Sequence, residues 1–246
     1  MRMLQEWARP RGPWELTTED LLEWTASKDW SSETRRSVRS SLRGFYTWGL
    51  TTSRIGPENP SSGLPAVKPR PPMPRPCDDD VLALALHQAP AREKLMLWLA
   101  SDCGMRRGEV ARVHPRHDVF PDLLRYSMIV HGKGDKPRVI ALPEMLGTML
   151  ARHGREDGGF LFPGQIDGHL SPSWVGRIVS RRLAEGWTMH TLRHYFATWA
   201  YAKEHDLLAV QQQLGHSSPA ITQSYIAVPP TAKQRIVDHV AGRLSA

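Results

Sequence analysis

Leu124-Arg-Tyr-Ser-Met-Ile-Val-His131, then Gly132-Lys-Gly-Asp-Lys136, then Pro137-Arg-Val-Ile-Ala-Leu142 form one unbroken stretch, and its reading decides the fold class. The first segment is rich in aliphatic and aromatic residues, which suits a strand. Two glycines and an aspartate in the middle make a turn. The last segment is the return strand. On both sides of this hairpin the apolar residues recur at helical spacing. Residues 78–89 read as a helix opened by Asp78-Asp-Asp80, and residues 91–101 as a second, strongly apolar one stopped by Gly104. Residues 106–113 start a short new helix. From Pro143 onward the pattern is helical almost to the end, with an apolar break at Phe160-Leu-Phe162. The expectation is a mainly α protein with a small antiparallel β-sheet or hairpin (α+β), without internal repeats.

Upstream, residues 65–76 carry six prolines in twelve positions, which neither a helix nor a central strand tolerates. The segment reads as a semi-rigid linker, at most roughly 37 Å long if fully polyproline II. Its Lys68 and Arg70 suit either a plain spacer or a basic strap along a polyanion. The expected organisation is therefore a helical domain over 1–64, a basic linker over 65–76, and a larger domain over 77–246 with a tail at 227–246. In the first domain Thr17 is placed to cap a helix with an acidic first turn, and Ser32 to cap another running to about Leu50. Arg35, Arg39 and Arg43 recur every four residues on that second helix, with Arg36 beside them. The stripe is either a solvated face or a phosphate contact. Trp7, Trp14, Trp24, Trp30 and Trp48 suit core packing better than base stacking.

The net charge of +7 permits nucleic-acid binding without establishing it. Its distribution says more: +1 over residues 1–65, +3 over 66–76 and +3 over 77–246, so the excess is densest in the linker. Arg outnumbers Lys 25 to 7, which matches bidentate phosphate contact and equally a GC-rich genome. No stretch is long and apolar enough for a membrane span, and the N-terminus does not read as a signal peptide. A cytoplasmic location without membrane association is expected. Cys77 and Cys103 lack metal-ligand spacing and read as structural thiols.

The chemistry-bearing residues lie in the larger domain. Gly104-Met-Arg106-Arg-Gly-Glu109 supplies a turn with cations and a carboxylate, and Lys133 sits at the hairpin tip with Lys136 as a rival. His190 and Arg193 fall three apart at the start of a helix, so both can reach one phosphate. His194 lies about 100° round that helix and reads as a supporting residue. Leu214-Gly215-His216 ends the next helix on a glycine, and Tyr225 follows nine residues after the histidine. Cations, hydrogen-bond donors and one phenol together can attack a phosphodiester without a metal, and no acidic cluster of two-metal type is evident.

In this order and spacing the five pieces resemble the tyrosine recombinase (phage integrase) family. The resemblance covers residues 78–226; residues 1–64 match in kind only, as a helical core-DNA-binding domain. It implies that Arg106 and Arg193 bind the non-bridging oxygens, with His216 donating a further bond. Tyr225 is then the nucleophile, His190 the better candidate base, and Lys133 the proton donor to the departing 5′ oxygen. Glu109 braces the turn around Arg106. No cofactor or metal is implied. The implied partners are double-stranded DNA attachment sites, three further copies in a homo-tetramer on synapsed DNA, and a directionality factor. The expected function is site-specific recombination through a 3′-phosphotyrosyl intermediate and a Holliday junction, in phage or mobile-element integration and excision. A chromosome or plasmid dimer resolvase, a type IB topoisomerase and a catalytically idle DNA-binding relative are the alternatives. The chain begins close to the helical domain, so the arm-site-binding domain of many phage integrases is expected to be absent. The tail at 227–246 packs either on its own domain or on a neighbouring protomer.

Overall fold

Thr17 and Ser31 set the first domain's helices. In the computed structural model, which describes residues 2–68, 73–122, 125–132, 137–156 and 159–215, the chain divides into two compact units, Met1–Pro71 and Pro72–Ala246. The first unit holds α1 (Arg2–Ala8), a 3-10 turn (Pro13–Glu15), α2 (Thr18–Ala26) and α3 (Ser32–Thr51). The Thr17 hydroxyl accepts from the Asp20 N–H at 3.3 Å while the Asp20 carboxylate accepts from the Thr17 N–H at 2.9 Å. That reciprocal pair satisfies two otherwise orphaned donors at the start of α2.

The cap of α3 corrects the sequence reading. It is Ser31, whose hydroxyl accepts from the Thr34 N–H at 3.2 Å, and Ser32 is already helical. Two adjacent serines compete for such a position, and backbone conformation decides between them. Leu4, Leu21, Trp24, Leu42 and Tyr46 form the core of this unit, and the Tyr46 hydroxyl donates to Pro13 O at 2.7 Å. Trp14 stacks on Phe45 with centroids 4.3 Å apart. Trp48 departs from the expected burial: it is 48% exposed, with the Arg54 guanidinium 5.1 Å from its ring.

The second unit runs α4 (Asp79–Gln88), α5 (Ala91–Ser101), α6 (Arg107–Ala111), α7 (Pro115–Asp118), β1 (Val119–Pro121), β2 (Tyr126–His131), β3 (Pro137–Leu142), α8 (Glu144–Glu156), β4 (Pro163–Ile166), α9 (Pro172–Arg182), α10 (Met189–Glu204) and α11 (Leu207–Leu214). The mainly helical α+β expectation holds, with the sheet one strand larger than a hairpin. β1, β2 and β3 lie side by side and antiparallel, with Met128 opposite Ile140 and Val130 opposite Arg138. Met128, Val130, Ile140 and Leu142 turn inward onto the core. Beyond its charged first turn α5 is apolar from Leu95 to Ala100, α10 and α9 both pack on it, and Met96, Leu97, Leu99 and Ala100 are fully buried. The helix read over 106–113 is shorter, since Arg106 is extended and the chain leaves the helix after Ala111. The expected helical run after Pro143 is interrupted by β4, which bridges back to His169. Both cysteines are buried free thiols.

Candidate active site

α5 hands the chain to the Arg106 turn through Gly104, whose φ of +66° lies in the left-handed region. A side chain there is excluded twice over: a Cβ would lie 2.6 Å from Leu214 and 2.7 Å from Phe196. The turn is thus pressed against α10 and α11. Arg106 follows as the residue preceding α6, and its N–H donates to Glu109 Oε2 at 2.9 Å. Its guanidinium donates from Nη1 to Glu109 Oε1 at 2.9 Å. The side chain is still 43% exposed, so part of its donor edge faces outward.

α10 supplies the second cation. Thr188 caps it, accepting from the His190 N–H at 3.2 Å, while Thr191 Oγ1 accepts from the Thr188 N–H at 3.0 Å. Arg193 follows His190 by less than one turn and is only 1% exposed. Its Nη1 donates to Gly104 O, and its Nη2 to Leu214 O at 2.7 Å. Each of these nitrogens carries a second hydrogen, and the side chain lines the cavity described below. His190 opens onto the same cavity. Partial burial, then the charges of Arg193 and Arg106, lower its pKa below the ordinary imidazole value of 6.5. A neutral imidazole at pH 7 is the form able to take a proton. His194 is buried with its ring edge-on to His190, centroids 4.6 Å apart.

Glu109 is the hub of the site. Besides both Arg106 bonds, its two oxygens accept from Arg138 Nη1 at 2.8 Å and Nη2 at 2.9 Å. Burial alone would raise this carboxyl. The Arg138 hydrogen bonds and charge, the Arg106 N–H and the Arg193 charge outweigh it and bring the pKa to about 2. Glu109 is therefore a fixed anion at neutral pH and has no proton to give. Sequence reasoning missed Arg138 altogether. It also missed Arg112, which donates to Gly108 O at 3.1 Å and to His131 O at 2.7 Å.

A cavity of about 910 Å³ collects these groups, with Arg106, Arg107, Arg112, Arg177, His190 and Arg193 on its walls. Arg177 comes from α9, where Ser173, Gly176, Arg177 and Ser180 line the cavity at helical spacing. That spacing was legible but carried no distinguishing motif. The chain reaches the edge of the site at Gly215, in the left-handed region at φ +65°, with its carbonyl 3.5 Å from Arg106 Nη2. Lys133, Lys136, His216, Tyr225, Arg70 and the tail at 227–246 lie outside the described residues.

The arginine stripe of the first unit is not uniform. Arg35 donates to three backbone oxygens, Trp30 O, Thr25 O and Lys28 O, at 3.1, 3.2 and 2.7 Å. Arg39 Nε donates to Leu64 O at 3.1 Å. Arg36 pairs with Glu33 at 3.2 Å and is exposed, as are Arg43 and Lys68. Among the described residues no group of three or more His, Cys, Asp or Glu could hold a metal ion, and no helix is long and apolar enough to cross a membrane.

The description of the phage integrase family matches residues 79–231. Tyrosine recombinase XerC of Azotobacter vinelandii is 33% identical over 212 residues, which cover 79% of this chain and 69% of that protein. Among solved structures, the integrase from mycobacterium phage Brujita superposes with a TM-score of 0.53 at 26% identity, over 95% of this chain and 80% of that one. XerH site-specific recombinase in a post-cleavage complex with palindromic difH substrate gives a TM-score of 0.69 at 22% identity, over 96% and 73% of the two chains. At that identity the likeness concerns the fold.

Proposed function

The chain belongs to the phage integrase family of tyrosine site-specific recombinases, and from that premise we propose that it is an integrase, cutting and rejoining DNA attachment sites in phage or mobile-element integration and excision. The observation that carries the reading is the convergence of Arg106, His190 and Arg193 on one cavity, with the chain arriving at its edge at Gly215. Two guanidiniums on one phosphate stabilise the charge that builds on its non-bridging oxygens in the pentavalent transition state. His216 adds a further donor. Tyr225 Oη attacks phosphorus, its proton passing to His190. The bond from phosphorus to the 5′ oxygen breaks, and Lys133 protonates that oxygen. The product is a 3′-phosphotyrosyl link and a free 5′ hydroxyl. Bond energy is kept in the link, so religation needs neither ATP nor a metal. Four strands are cut and exchanged, which calls for four active sites: a homo-tetramer on two synapsed duplexes, passing through a Holliday junction. A directionality factor is the further partner that would separate integration from excision.

The test is a nicked attachment-site duplex incubated with the protein in EDTA. A protein–DNA adduct that survives denaturation is the expected result. Cleavage that requires magnesium and leaves no adduct would overturn the mechanism. Recombination between two attachment sites then separates an integrase from a topoisomerase, which would relax supercoils on any sequence. Exchange confined to two identical sites would favour a dimer resolvase.

The first unit contributes DNA backbone contacts in this reading, through Arg36, Arg43 and the terminal nitrogens of Arg39, followed by Lys68 and Arg70 of the linker. Neutralising Arg36 and Arg43 is expected to make the salt dependence of binding shallower, by about 0.9 in the slope of log K against log salt for each phosphate no longer neutralised. Arg35→Gln is expected to leave the slope alone and lower the melting temperature, because its donors hold three carbonyls. An unchanged slope in the Arg36/Arg43 variant counts against these phosphate contacts.

A further inference from the structure

We propose that Arg138 is a positioning residue for strand cleavage, tying β3 to Arg106 and to the end of α11. The inference rests on the recombinase reading above and names a residue outside its catalytic set.

Arg138 lies second in β3, opposite Val130. Its side chain is only 14% exposed, and it joins its own strand to two other elements, α6 and α11. The two terminal nitrogens grip both oxygens of Glu109, which holds the Arg106 backbone and guanidinium with the same two oxygens. Nε donates to Gln213 O at 3.2 Å, in the last turn of α11. The stem runs under Gly215, where a Cβ would come 2.6 Å from Arg138 Cδ. Glycine at 215 is thus required by this arginine as well as by the helix end.

A second clamp repeats the connection. The Gln213 side-chain amide acts as a strand partner, accepting from the Ala141 N–H and donating to Ala141 O, both at 3.1 Å. β3 and the end of α11 are therefore joined at Arg138 and again at Ala141. Arg112 secures the other leg of the hairpin, through His131 O at the end of β2. The two strands on either side of residues 132–136, β2 and β3, are thus both fastened to the segment that bears Arg106.

Such an arrangement is costly as a source of stability alone. A buried ion pair carries a desolvation penalty on both partners, and an apolar replacement of similar volume is often neutral. What a bidentate arginine supplies in addition is fixed geometry. A displacement of about 1 Å in a reacting constellation can cost roughly 10²-fold in rate.

The experiment compares wild type, Arg138→Met, Arg138→Lys and the double variant Arg138→Met/Glu109→Gln by single-turnover cleavage of the nicked duplex at saturating protein, across pH. Arg138→Met is expected to keep DNA affinity within about threefold and to lose roughly 10²-fold in cleavage rate. Lysine keeps the charge without the fork, so Arg138→Lys is expected to recover only a small part of that loss. Without Arg138, burial pushes the Glu109 carboxyl upward, and Arg138→Met gains a fall in rate on the acid side that the double variant lacks. A purely structural role would lower melting temperature and active fraction together and add no such limb. Wild-type cleavage by folded Arg138→Met, or loss of rate only in proportion to loss of binding, overturns the proposal. If Arg138→Met does not fold, Arg138→Lys carries the same test, and a wild-type rate there overturns it. Failure of wild type to form an adduct would instead strike the recombinase reading itself.

Discussion

Tyr225→Phe is expected to bind an attachment site as tightly as wild type and to form no covalent adduct with it. The substitution removes one oxygen and little else, so DNA affinity, which rests on backbone contacts, has no reason to fall. Chemistry has every reason to. A phosphodiester resists oxygen nucleophiles, and loss of an enzymatic nucleophile costs on the order of 10⁶-fold in other systems. A free phenol, pKa about 10, is almost wholly protonated at pH 7 and needs help to ionise. In the proposed mechanism the two arginines supply that help by favouring a nearby phenolate. Partial burial, with the same two charges, lowers the His190 pKa and so favours the neutral imidazole that can accept a proton. Denaturing gels of the nicked-substrate reaction read the result directly. Adduct formation by Tyr225→Phe at even a tenth of the wild-type rate would move the nucleophile to another residue.

The helices and the hairpin were legible because each is specified locally. The 91–101 helix is as its apolar pattern requires, and β3 begins and ends where the proline and the following turn residues place it. β1 was not legible: three residues cannot establish an alternation, and Val119–Pro121 becomes a strand only because β2 offers it an edge. In the site, Arg106, His190 and Arg193 were legible as a pattern, and residues from the starts of α6 and α10 line one cavity. Arg138 was invisible for the opposite reason. An arginine in a strand reads as outward-facing, and its partners Glu109 and Gln213 lie 29 and 75 residues away. Arg35 was misleading in a third way. It looks like one step of a charged stripe, yet it folds back onto carbonyls of its own unit, a use that periodicity does not distinguish from solvent or phosphate contact.

Arg106 and Arg193 are given the same chemical task, but their surroundings predict different consequences when each is truncated. Arg106→Ala removes a side chain that is 43% exposed, and it leaves Glu109 still held by both Arg138 nitrogens and the backbone N–H of residue 106. Its melting temperature should stay close to wild type. Arg193→Ala empties a site that is 1% exposed and strands Gly104 O and Leu214 O, whose loss of partners costs about 1–3 kcal/mol each. It also takes a neighbouring positive charge from Glu109. Two stranded carbonyls put the loss at roughly 2–6 kcal/mol, enough to lower the melting temperature of the second unit by several degrees or more. Both variants should lose at least 10²- to 10³-fold in cleavage, the typical cost of one oxyanion donor. Thermal melts separate the two arginines where kinetics does not. An Arg193→Ala protein that melts like wild type would mean that its two carbonyl bonds contribute nothing in solution. One that cleaves within tenfold of wild type would remove Arg193 from the phosphate. In Arg193 one side chain both closes the fold, by joining the Arg106 turn to the end of α11, and lines the cavity to which the proposed mechanism assigns the phosphate. Stability and catalysis should therefore fall together there, and only catalysis at Arg106.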